Sequence, residues 1–179
     1  WSMMYIRQLL ADLPHDTLSP KKSFDDLNRK LHEIESLTAP GIFASLVGLC
    51  IDEQAQRVTF VRAGAPRLIH ATNEGEVRTL DPDGLPLGLF EDANLEEIES
   101  EFHPGDKLVW ASDGLLGIRD ESGARWSEKG LRDCIASCCY LPSRAVFEQI
   151  LASVGDYSAE DAARDDWSLV VIGYDHPPE

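Results

Sequence analysis

The spacing of apolar residues changes repeatedly along this chain, and those changes limit its fold more than any other feature. Met3, Ile6, Leu10 and Leu13 recur at helical spacing and predict a first helix over residues 1–13, stopping before Pro14. Residues 14–22 are polar and read as a loop. Phe24, Leu27, Leu31 and Ile34 then predict a second helix, with Ser23 and Asp26 as its capping pair and Pro40-Gly41 near its end. At Phe43 the period breaks. Residues 43–51 form a nearly continuous apolar run, as a buried strand requires, and residues 57–63 alternate as a returning strand after a polar turn. Residues 67–71 and 76–80 flank Asn73-Glu74-Gly75, a hairpin pattern, and Asp81-Pro82-Asp83-Gly84 is a turn. A short strand over 107–112 follows the turn His103-Pro104-Gly105-Asp106.

Helical spacing then returns. Leu131, Cys134, Ile135, Cys138 and Cys139 mark one face, and Val146, Phe147, Ile150, Leu151 and Val154 mark another after Pro142. Residues 167–174 make a final core strand, and residues 175–179 read as a loose tail. The order is two helices, a run of strands, two helices and a last strand. Segregated strands and helices predict an α+β fold with an antiparallel sheet.

Composition narrows the function. In 179 residues, 43% are hydrophobic, enough to close the core of a single domain. The 16 Lys and Arg face 32 Asp and Glu, for a formal net charge of −16. Such an acid excess argues against nucleic acid or an anionic membrane as partner, and favours cations or basic surfaces. No apolar stretch is long enough to span a bilayer, and the first residues show no basic segment followed by an apolar run and a cleavage site. Of the cysteines, Cys134, Cys138 and Cys139 crowd one segment with Cys50 far away, a poor disulfide framework; a reduced, cytoplasmic protein is expected. The chain opens on Trp1 within a helical pattern, which predicts an N-terminally incomplete domain over 1–179.

Two acidic sites stand out by position. Asp113 follows a strand and precedes Gly114, while Asp165 and Asp166 immediately precede the last strand. If those strands are antiparallel neighbours, the acids meet on one edge of the sheet. Clustered carboxylates repel unless a cation neutralises them, and hard oxygen ligands suit Mg²⁺ or Mn²⁺. The same residues also fit a plain Asp-Gly turn and a strand start, and the pattern alone leaves both readings open.

Ala63-Gly64-Ala65-Pro66, Leu85-Pro86-Leu87-Gly88, Pro104-Gly105-Asp106 with the strand to Ser112-Asp113-Gly114, and Arg164-Asp165-Asp166-Trp167-Ser168 occur in that order. The series resembles the SpoIIE-like branch of the metal-dependent type-2C (PPM) serine/threonine phosphatases. The run from Phe24 to Leu31, with Asn28 inside it, is similar to that family's second helix. The resemblance implies an α-β-β-α sandwich: two antiparallel sheets flanked by helices. It implies hydrolysis of phosphoserine or phosphothreonine on proteins with two Mg²⁺ or Mn²⁺ ions bridged by a hydroxide. By the same match, Asp113 and Asp165 would be catalytic metal ligands, and Asp166 a weaker third ligand. The substrate implied is a small phosphorylated regulator of the anti-sigma-factor-antagonist type, and the setting is the output domain of a bacterial signalling protein.

The chain departs from the family in places. It contains no early GD-x-x-G-H-G-like motif, whose Asp bridges both metals in the family. Ala65 stands at a family His, Ser112 at a Thr, and Ala44-Ser45 where Thr is frequent. These departures motivate a second reading, a degenerate phosphatase domain acting as a protein-binding adaptor. A homodimer through the amphipathic N-terminal helices is a further expectation. Residues 91–106 hold seven acids, with Leu95, Ile98 and Phe102 at helical spacing, whereas the resemblance implies a strand. The strand is expected, although it aligns Leu95, Glu97, Glu99 and Glu101 on one face. The cysteine cluster is expected to be a core helix face rather than a zinc site, since it lacks four ligands at tight spacing.

Overall fold

The computed structural model describes residues 19–38, 43–158 and 166–174. The predicted helix over 1–13, Asp165 and the tail over 175–179 lie outside the described residues. Its elements run α1 (Pro20–Thr38), β1 (Leu46–Asp52), β2 (Arg57–Ala63), β3 (Leu68–Ala71), β4 (Val77–Leu80), β5 (Glu97–Glu101), β6 (Lys107–Ala111), α2 (Asp113–Leu116), α3 (Ser127–Cys138), α4 (Ser143–Tyr157) and β7 (Leu169–Gly173). The strands form two antiparallel sheets, ordered β1-β2-β5 and β4-β3-β6-β7. The α+β class read from the sequence is the class observed. The chain divides into two compact units, one of residues 1–65 with 81–101, the other of residues 66–80 with 102–179.

The first unit builds its core from α1 and the three-stranded sheet. Phe24, Leu27 and Leu31 are buried at helical spacing with Val61, Ala63, Leu87 and Leu95. The helix begins earlier than Ser23: Ser19 Oγ accepts the Lys22 backbone N–H at 3.3 Å, and Pro20 takes the first helical position. Capping therefore falls to Ser19. Asn28, buried on α1, donates Nδ2 to the carbonyls of Phe90 and Glu91 at 3.1 and 3.0 Å, and its Oδ1 accepts the Gly88 N–H at 2.8 Å. One side chain thus satisfies three backbone groups of the 85–91 loop. The turn at Gly84 admits no side chain, because a Cβ there would lie 2.0 Å from the Arg62 carbonyl oxygen.

Residues Glu97–Glu101 are a strand, not a helix. The acidic face that made this awkward is neutralised locally. Glu97 Oε2 accepts from Ser19 Oγ at 2.9 Å and from the Lys21 N–H at 2.8 Å, at the start of α1. Glu99 pairs with Arg57 on the neighbouring strand at 3.1 Å. A carboxylate at a helix N-terminus is favoured by the partial positive charge there. The other departure is β1, which is half-buried along its length rather than buried, with Phe43 before it exposed. The strand pairs β2 on one side and is an edge of its sheet among the described residues.

The second unit packs α3 and α4 on the four-stranded sheet. Leu131, Ile135 and Cys138 from α3 and Val146, Ile150 and Val154 from α4 bury against Ile69, Val109 and Ala111. The predicted faces are the ones turned to the core, with Cys134 and Phe147 half-buried and Leu151 exposed. Of the clustered cysteines, Cys138 and Cys139 are core, as expected, and Cys134 packs half-buried against it: burial raises the Cys134 thiol pKa and pushes Cys138 up to about 11.

Candidate active site

Strand β6 places the site. Its residues Leu108, Val109 and Ala111 are buried, which fixes the strand in the sheet and sets where its end emerges. The strand pairs antiparallel with β7 from Lys107↔Gly173 to Ala111↔Leu169. The residues after β6 therefore lie beside those before β7, the arrangement the sequence made conditional on antiparallel neighbours. Asp113 and the segment opening at Asp166 share one edge of the four-stranded sheet.

The chain bends sharply at this edge. The Ser112 N–H donates to the Ser168 carbonyl at 2.9 Å, continuing the sheet by one residue. The Ser112 carbonyl instead accepts the N–H groups of Leu115 and Leu116 at 3.1 and 3.0 Å, starting α2. The Ser168 N–H is met by Ser112 Oγ at 3.0 Å. Buried Leu115 anchors α2 to the core, and Asp113, its first residue, is exposed. No hydrogen bond or ion pair engages the Asp113 carboxylate among the described residues. Asp166 is exposed as well.

The donor set here is carboxylate oxygen, which fits Mg²⁺ or Mn²⁺ rather than a soft metal. The described residues bring two acids to the edge, and no group of three His, Cys, Asp or Glu converges among them. Asp165, the other expected ligand, lies outside the described residues.

The opposite end of β6 carries a buried group that the sequence did not single out. Asp106 and His70 have side chains only 3% and 1% exposed, with His70 Nε2 3.0 Å from Asp106 Oδ2. The same acid accepts the N–H groups of Asn73 at 2.8 Å and His103 at 2.9 Å. The His70 ring meets Phe102 edge-on, with centroids 6.0 Å apart, and Phe102 stacks on Tyr174. Asp106 was legible as a turn residue and as part of the Pro104-Gly105-Asp106 motif, but nothing in the sequence linked it to His70.

With this geometry in place, comparison with known proteins is informative. The family model of Stage II sporulation protein E (SpoIIE) matches residues 1–175. The phosphoserine phosphatase RsbU of Bacillus subtilis is 24% identical over 174 residues, which cover 95% of this chain and 50% of RsbU. The chain thus spans about half the length of that relative. Among solved structures, the SiaA-PP2C domain of Pseudomonas aeruginosa superposes with a TM-score of 0.77 at 20% identity, covering 97% of this chain and 68% of that one. The manganese-presoaked phosphatase domain of SpoIIE from Bacillus subtilis gives a TM-score of 0.57 at 14% identity, covering 99% and 75%. At these identities the two structures establish the fold, that of PP2C phosphatase domains.

Proposed function

The chain belongs to the SpoIIE family, and from that premise we propose that it is a Mg²⁺- or Mn²⁺-dependent phosphatase domain removing phosphate from serine on a regulatory protein. The substrate class is the anti-sigma-factor-antagonist type, and the setting is the output end of a bacterial signalling protein. The observation that carries this reading is the β6–β7 edge. It holds Asp113 exposed, with no described residue engaging its carboxylate, beside the segment of Asp166, where two opposed strand ends meet. Asp113 and Asp165 would hold the metal, with Asp166 adjoining. Divalent ions so held would supply a water of lowered pKa and neutralise phosphoryl oxygens. The chain's own part is to fix carboxylates at a rigid sheet edge and leave them open to solvent and to a phosphoserine. The acid excess suits cation loading as well.

The test is turnover of a phosphoserine peptide with Mn²⁺ by the full-length protein, with Asp113→Asn and Asp165→Asn compared. Both variants should fall to the metal-free background, and retained turnover in both would overturn the reading. Capture of a protein partner by a wild-type protein that neither binds Mn²⁺ nor turns over phosphoserine would establish the adaptor instead, the reading that Ala65 motivates.

A further inference from the structure

We infer that Ser112 is a positioning residue for the metal-binding edge, with its hydroxyl standing in for a backbone carbonyl. In a regular antiparallel pair, two facing residues exchange both N–H···O bonds. At the Ser112–Ser168 pair only one of these is made by backbone, the Ser112 N–H to the Ser168 carbonyl at 2.9 Å. The return bond cannot be, because the Ser112 carbonyl has turned into α2 and accepts from Leu115 and Leu116. The side chain fills the vacancy: Ser112 Oγ takes the Ser168 N–H at 3.0 Å. The hydroxyl is thereby committed, and it makes no cap bond to its own helix although it occupies the cap position.

The consequence lies on either side of this pair. Asp113 is the next residue after Ser112, and Asp166 lies two residues before Ser168. The Ser112 hydroxyl lets β6 break into a helix, which turns Asp113 outward, while β7 stays latched at its first residues. Without the hydroxyl the Ser168 N–H loses its partner, and only the Ser112 N–H to Ser168 carbonyl bond still ties the segment opening at Asp166 to the residue before Asp113. A Thr supplies the same oxygen, and a Cys supplies only a weak acceptor of similar shape.

This inference rests on the reading of Asp113 and its neighbours as metal ligands, and the experiment separates the two. Mn²⁺ binding is measured by calorimetry on the full-length protein and on Ser112→Ala, Ser112→Thr, Ser112→Cys and Asp113→Asn, at a temperature where each is folded. Ser112→Ala should weaken Mn²⁺ binding about 10–100-fold, the usual effect of removing a group that orients metal ligands. Ser112→Cys should weaken it in the same direction, and Ser112→Thr should retain wild-type affinity. If Ser112→Ala and Ser112→Cys bind as the wild type does while Asp113→Asn loses the ion, the positioning role is overturned and the ligand reading survives. Ser112→Thr binding as weakly as Ser112→Ala would also overturn it. An Asp113→Asn variant that binds Mn²⁺ undiminished, or a wild type that binds none, overturns the ligand reading and this inference with it.

Discussion

Strand β6 runs between two aspartates with opposite surroundings. At its start Asp106 is buried, and its oxygens take bonds from His70, Asn73 and His103. Past its end Asp113 is exposed, and no described residue engages its carboxylate. The same residue type, seven positions apart and flanking one strand, serves cohesion at one end and is left available at the other. A buried carboxylate must have its lone pairs satisfied or it destabilises the fold. An exposed one faces no such demand and can be reserved for a ligand. The unequal environment, rather than the residue type, separates structural acid from candidate ligand.

That contrast can be broken most directly by truncating each acid. Asp106→Ala strips a buried pair of one partner and should cost about 3–5 kcal/mol, whereas Asp113→Ala should change stability by no more than about 0.5 kcal/mol. Urea denaturation of both variants measures this, and equal losses would erase the distinction. A smaller effect is expected one residue from Asp106. Gly105 has φ 94°, and a Cβ there would lie 2.6 Å from Asn73 Cγ. Gly105→Ala should cost about 1–3 kcal/mol by strain at a left-handed position; an unchanged midpoint would show that the turn relaxes freely. The mildest probe reads the core beneath α3 and α4, which lies across the sheet from the buried pair. Burial pushes the Cys138 thiol up to about 11, so its reactive thiolate is scarce at pH 8 and grows only as pH climbs toward that value. Iodoacetamide should label Cys138 slowly in the wild type and in Asp113→Ala, and faster in Asp106→Ala. Equal rates in all three would mean that the buried pair does not hold this core closed.

Much of the framework was readable in the residues. The helix faces of α3 and α4 follow from spacing alone, since Leu131, Ile135, Val146, Ile150 and Val154 all point into one core. The hairpin of β3 and β4 follows from its Gly-containing turn. What local pattern could not supply were groups defined by distant partners. The Glu97–Glu101 strand looked helical because its apolar spacing is ambiguous over so short a run. Its acids became tolerable only once Ser19, Lys21 and Arg57 arrived from elsewhere in the chain. The capping residue of α1 was misplaced by four positions, Ser23 for Ser19, whose hydroxyl also donates to Glu97 from the distant β5.

The candidate site divides in the same way. Sequence by itself determined which acids end and begin strands, because strand periodicity and Asp-Gly are local signals. It also carried, through the ordered motifs, the family and with it the fold. Only the tertiary structure decided that β6 and β7 are antiparallel neighbours, and hence that Asp113 and Asp166 share an edge. Only it paired His70 with Asp106 across 36 residues, and Ser112 with Ser168 across 56. The physical reason is that hydrophobic period and turn chemistry act over a few residues, whereas pairing, burial and hydrogen-bond satisfaction are set by whatever the folded chain brings alongside.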